Sequence, residues 1–151
     1  QKLELARRLG ADSGVDYTRP DWAEQLLRDT DGRGADIIYE SVGGDVTHRA
    51  LDALAARGKL VIYGALNIQS FQLGVPELIS ILFQTQSLTG FALPTLLTLP
   101  GLRAGLSQLF ALAERGQLLV QIGGRFGFDQ AALAHQALSE RRSTGKLVLV
   151  A

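Results

Sequence analysis

Cysteine and methionine are both absent from the 151 residues. Without cysteine there is no disulfide, no thiolate nucleophile and no Cys-ligated zinc, and the redox compartment is left open. Net charge of either sign is missing too, since Lys plus Arg and Asp plus Glu each number 15. A balanced chain projects no field that would draw it to nucleic acid or to an anionic membrane, so neither is expected as a partner. Apolar runs are short: Leu-Val-Leu-Val-Ala at 147–151 falls far below the ~18 residues a membrane-spanning helix needs. Neither an initiator Met nor a signal sequence opens the chain. A soluble, cytoplasmic protein is expected. With 46% hydrophobic and 20% charged residues, the composition is that of one globular domain with a sizeable core.

Residues 1–10, Gln-Lys-Leu-Glu-Leu-Ala-Arg-Arg-Leu-Gly, read as the body of a helix, with Leu3, Leu5, Ala6 and Leu9 on its apolar face and Gly10 as its stop. A chain that starts inside a helix is expected to be preceded by further polypeptide. Val15-Asp16-Tyr17 is strand-like, and Asp21 is placed to cap a helix over 22–29. Ala35 to Glu40 reads as a buried strand, 45–56 as a helix and 59–64 as the next strand. A loop over 65–75, a short helix from Pro76 to Gln84 and a strand over 87–91 follow. Residues 96–116 hold at least one helix, broken near Pro100-Gly101, and 128–140 hold another; 145–150 form a final strand with no partner evident from local sequence. Strands alternating with helices at this spacing predict βαβ units and a parallel sheet, an α/β fold.

In open parallel sheets, ligands bind at the carboxyl ends of the strands, which directs attention to the residues after Tyr17, Glu40, Tyr63 and Phe91. Ser41-Val42-Gly43-Gly44 and Tyr63-Gly64-Ala65 supply backbone with no Cβ in the way, which suits a flat cofactor and equally suits a plain turn. Lys2, Tyr17 and Arg19 flank element ends where a phosphate could be held, although on spacing alone they are ordinary surface residues. His48 and His135 fall in predicted helices with no Ser, Asp or Glu at metal-ligand or triad spacing, so helix-face roles are expected for both. No metal site is expected, and no catalytic residue is assigned.

Several ordered segments carry a family resemblance. Leu3-Glu4-Leu5-Ala6-Arg7-Arg8-Leu9-Gly10-Ala11-Asp12, Val15-Asp16-Tyr17 and the run from Gly32 to Gly44 resemble the zeta-crystallin-like quinone oxidoreductase branch of the medium-chain dehydrogenase/reductase superfamily. So do Gly58 to Gly64, Ser87-Leu88-Thr89-Gly90-Phe91, Ala134 to Leu138 and Thr144 to Leu149. The resemblance implies a Rossmann-type domain with NADPH as hydride donor, a quinone or conjugated carbonyl as small-molecule substrate, and no zinc. By the same resemblance, Lys2 and Tyr17 grip the adenosine 2′-phosphate, and Gly43 and Gly44 lie against adenine and ribose. Tyr63, Gly64 and Ala65 line the nicotinamide side, Gly90 and Phe91 complete it, and Lys146 reaches the cofactor or the cleft from the last strand. A homodimer through the edge strand 87–91 is implied as well.

The family's glycine-rich turn and the first two strands of its cofactor domain have no counterpart in these residues, so an incomplete Rossmann sheet is expected, with C-terminal helices and a final strand. Residues 1–120 are then the partial dinucleotide-binding domain and 121–151 a segment returning towards a substrate domain; such a chain is expected to be inactive alone. Two other readings stay open. One is a fragment of an enoyl-thioester reductase, and the other a non-catalytic dimerisation module built on the Leu-, Ile- and Phe-rich residues 66–98.

Overall fold

A computed structural model describes residues 1–64 and 66–151. The chain divides into two compact units, Gln1–Thr95 and Leu96–Ala151. The first contains helices α1 (Lys2–Arg8) and α2 (Trp22–Asp29), strand β1 (Ala35–Glu40), helix α3 (Asp45–Asp52), strand β2 (Leu54–Ile62), helix α4 (Val75–Phe83) and strand β3 (Ser87–Gly90). Its sheet has the order β1-β2-β3 with every pair parallel, so the expected α/β class with a parallel sheet is the fold observed.

Ile38, Leu60 and Leu88 stand side by side in register across the three strands. They face a core of Trp22, Ala23, Ala50, Leu51, Ala53 and Leu54, to which α4 adds Ile81. Three helices thus cover one sheet face. On the other face, Ile37 and Tyr39 are 55% and 70% exposed.

Three expectations for this unit are corrected. Residues 15–17 form no strand: among the described residues they pair with none. Asp21 does not cap α2: its carboxylate is taken by Arg19 Nε at 3.1 Å. The helix expected over 45–56 ends at Asp52. Beyond it the chain is engaged by other elements: Ala35 N–H donates to Ala53 O at 3.0 Å and Gln86 Nε2 to Leu54 O at 3.0 Å. Arg57 N–H is drawn away as well, to Gln84 O at 2.8 Å. Leu54 therefore pairs with Ala35 and opens β2, with a register shift before Lys59 meets Ile37.

Helix α5 (Leu93–Leu96) spans the division between the units. The second unit holds α6 (Leu99–Glu114), β4 (Ile122–Gly127), α7 (Ala131–Ser139) and β5 (Lys146–Val150). Pro100 and Gly101 start α6 instead of breaking it: proline needs no donor in a first turn, and Thr98 Oγ1 accepts from Gly101 N–H at 3.2 Å. The final strand has a partner, since β5 pairs parallel with β4, an element that Ile-Gly-Gly-Arg-Phe-Gly does not announce. The bulge at Gly123 requires its glycine, because a Cβ there would lie 1.9 Å from Thr144 O. Among the described residues no helix is long and apolar enough to cross a membrane.

Candidate functional site

The carboxyl ends of β1, β2 and β3 converge in the first unit. β1 ends on Glu40, whose residue is 4% exposed. Its Oε1 accepts from Val42 N–H at 2.5 Å and Gly43 N–H at 2.8 Å, and its Oε2 accepts from Thr47 Oγ1 at 2.8 Å. The turn at 41–44 is thereby tied to β1 on one side and α3 on the other. Asn67 N–H donates to Val42 O at 2.8 Å, bringing the following loop onto the same turn.

Gly43 and Gly44 adopt φ of +83° and +60°, which L side chains rarely enter. Protein already stands where their side chains would go: a Cβ on Gly43 would be 3.0 Å from Asn67 backbone, and one on Gly44 2.5 Å from Ser70 Oγ. Gly64 likewise sits so close to Ser41 that its Cβ would come within 2.7 Å of the serine Cβ. These glycines serve the turn's own packing whatever else they contact.

Beside this turn, Tyr39, Val61, Tyr63 and Phe91 line an apolar depression of about 460 Å³. Tyr39 and Tyr63 meet edge to face with ring centroids 6.4 Å apart. Phe91 N–H donates to Ile62 O at 2.8 Å and Tyr63 N–H to Glu40 O at 2.9 Å, so both aromatics hang from backbone pinned to the strand ends. Gly90 closes β3 with open space on its Cβ side.

A second groove of about 400 Å³ opens between residues 17–22 and the start of α3, lined by Tyr17, Thr18, Arg19, Trp22, Asp45 and Arg49. Its rim is stiffened locally. Asp16 accepts from Thr18 Oγ1 at 2.7 Å and Thr18 N–H at 3.0 Å, and these bonds, the hydroxyl's first, hold its carboxyl below the ordinary range. Arg49 donates to Glu24 at 2.7 Å and also to Pro20 O. Lys2 is the exposed first residue of α1.

The structure thus brings Gly43, Gly44, Tyr63 and Gly64 to one turn and loop, with Tyr63 and Phe91 sharing a depression and Tyr17 in the adjacent groove. Ala65 lies outside the described residues. Lys146 opens β5 in the other unit, where its N–H donates to Gln121 O at 2.7 Å.

Sequence reasoning missed two residues. Glu40 reads from the sequence only as the end of a strand; the strand expected to be buried in fact exposes Ile37 and Tyr39, while its closing acid is the residue that is buried. His48 does have an acidic partner: Nδ1 lies 3.2 Å from Glu77 Oε1 on α4, while Nε2 accepts from Gln72 N–H at 3.4 Å. That pairing fastens the 66–74 loop between two helices, and its 29-residue separation hides it from any local pattern. Among the described residues, no group of three or more His, Cys, Asp or Glu side chains is placed to hold a metal ion.

A parallel sheet with helices in its crossovers and a glycine turn at its carboxyl ends places the chain among the α/β proteins whose ligands bind at the strand ends. The family model described as zinc-binding dehydrogenase matches residues 9–149, and the chain belongs to that family, within the medium-chain dehydrogenase/reductase superfamily. It is 36% identical to a quinone oxidoreductase of Pseudomonas aeruginosa over 99% of its own length and 46% of that protein's. It is 29% identical to a 2-haloacrylate reductase of a Burkholderia species, over 99% of this chain and 45% of the other. A mycobacterial protein solved in complex with NADPH superposes with a TM-score of 0.82 at 27% identity, covering 99% of this chain and 47% of that one. The chain therefore spans about half the length of the relatives it matches, and the resemblance to quinone oxidoreductases runs through all of it.

Proposed function

We propose that this chain is the cofactor-binding portion of an oxidoreductase that passes hydride from NADPH to a quinone or conjugated carbonyl without zinc. The observation that carries the reading is the convergence of three parallel strand ends on a glycine turn flanked by an aromatic depression and a polar groove. The similarity to a quinone oxidoreductase and to a protein solved with NADPH supports it.

In this reading Lys2 and Tyr17 hold the 2′-phosphate, an ammonium as point charge and a phenol as directional donor. Gly43 and Gly44 lie against adenine and ribose. Tyr63, Gly64, Ala65, Gly90 and Phe91 form the nicotinamide side, and Lys146 approaches the cofactor or the cleft. The cofactor, when bound, supplies the hydride; these residues fix distance and orientation and exclude water from the ring. Residues 1–120 serve the dinucleotide and 121–151 lead towards the substrate portion. The working protein is a cytoplasmic homodimer joined at the edge strand 87–91. The similarity to a haloacrylate reductase favours conjugated acids or thioesters as a second acceptor class.

Cofactor fluorescence titration on this chain, and on a polypeptide extended upstream of Gln1, tests the assignment. NADPH is expected to bind the extended form more tightly; if neither form bound NADPH or NADH, the dehydrogenase reading would fall. Lys2→Ala combined with Tyr17→Phe is expected to weaken NADPH by tenfold or more, since charge-assisted bonds are worth about 1.5–3 kcal/mol each, while NADH changes little. Equal loss of both cofactors would remove the 2′-phosphate assignment.

A further inference from the structure

Glu40 is a buried carboxylate without a cationic partner: among the described residues its hydrogen-bond donors are Val42 N–H, Gly43 N–H and the Thr47 hydroxyl, all neutral. Taking a carboxylate out of water costs several kcal/mol unless its lone pairs are met, so its place at the end of β1 calls for a gain that an apolar residue would not supply. The gain lies in the direction of two amides. Successive backbone N–H groups in a glycine turn ahead of a helix ordinarily point outward and make a nest for anions. Here the amides of Val42 and Gly43 point inward, onto one carboxylate oxygen, at 2.5 and 2.8 Å. The other oxygen takes the Thr47 hydroxyl within the first turn of α3, where a negative charge is favoured by the helix dipole. Glu40 O also accepts from Tyr63 N–H at 2.9 Å, so a single residue joins β1, the turn, α3 and the end of β2.

We infer that Glu40 is the positioning residue of the cofactor-facing turn. It holds the turn at Gly43 and, by taking the amides of Val42 and Gly43, withdraws those two donors from any phosphate. This rests on the NADPH reading above, in which Gly43 and Gly44 lie against adenine and ribose, and adds to it the residue that sets the shape of their turn.

The inference is tested in whichever of the two polypeptides binds NADPH. Glu40→Gln keeps an oxygen for both amides and turns its NH₂ towards Thr47 Oγ1, which can accept. Glu40→Leu fills the same space and leaves both amides unpaired. The Gln variant is expected to bind NADPH and adenosine 2′,5′-bisphosphate within about threefold of wild type, and the Leu variant to lose tenfold or more for both. Reduced nicotinamide mononucleotide, which lacks the adenosine half, is expected to bind all three proteins alike, an outcome that general loosening of the domain would not produce. A folded Leu variant with wild-type NADPH affinity would overturn the inference, and so would a Gln variant as impaired as the Leu one. Should the Leu variant not fold, amide hydrogen exchange of the wild type decides: Val42 and Gly43 protected before NADPH is added supports the inward arrangement, and rapid exchange at both removes it. Wild-type protein that binds no NADPH defeats the functional reading and this inference together, whereas wild type that binds while the variants bind equally defeats this inference alone.

Discussion

Glu77 shows how one side chain can carry a structural duty that only acid reveals. Its Oε2 accepts from Gly74 N–H at 2.8 Å, closing the start of α4, while Oε1 meets His48. Its own amide, then that of Gly74, then His48 hold the carboxyl below the ordinary glutamate range. A carboxyl whose folded pKa lies below its unfolded one binds its proton more readily when unfolded. Its contribution is therefore full above the ordinary value and disappears as pH falls through the lower, folded value. Loss of stability with acid is expected to be shallower in Glu77→Gln than in wild type over that interval, as read by denaturant midpoints at stepped pH. Parallel curves for the two proteins would show that this carboxylate carries no linkage. The pair is invisible locally because His48 and Glu77 are brought together by two helices packing on one sheet. Tyr17 and the glycines, in contrast, stand within the ordered segments that carry the resemblance, which is what makes them candidates from sequence.

At the scale of elements, agreement follows the strength of the local pattern. The bounds of α2 and β1 coincide with those expected, because a punctuated apolar period leaves little choice there. The end of α3 departs because Leu54 pairs with Ala35 in the sheet and the carbonyls of Ala53 and Leu54 accept from other elements. β4 was unreadable for another reason. Glycines lower strand propensity, and only the approach of Thr144 shows why one must sit at 123. Gly123→Ala is expected to destabilise the β4-β5 pair by about 1–3 kcal/mol, the range for forcing extra atoms into a packed site. Faster amide exchange in β5, with the β1-β2-β3 sheet unchanged, is the result to look for; unaltered β5 protection would mean that the bulge relaxes around the methyl.

For the whole molecule, the apolar surface left uncovered is the main fact. α4 turns Val75, Leu78, Leu82 and Phe83 outward, with Leu82 72% exposed, and leads straight into the edge strand β3. A run of this kind beside an open sheet edge is the usual mark of an association surface. In the proposed homodimer, Leu82→Glu places a charge next to the pairing strand without disturbing any buried contact, so the fold should tolerate it. Sedimentation is expected to show a weakened dimer with unchanged circular dichroism. A dimer of undiminished affinity would take α4 out of the interface.

The order of residue types along the chain was enough to determine the α/β class, the parallel sheet and the family, since apolar periods, glycine stops and a sequence of characteristic segments are properties of neighbouring residues. Tertiary structure alone decided where α3 stops, which strand β5 pairs with, and that the glycines at 43 and 44 already face protein. It alone showed that Glu40 draws two amides inward. Each of these depends on a donor, an acceptor or a van der Waals surface from another element, and whether such a partner arrives is settled by packing, of which a linear pattern holds no record.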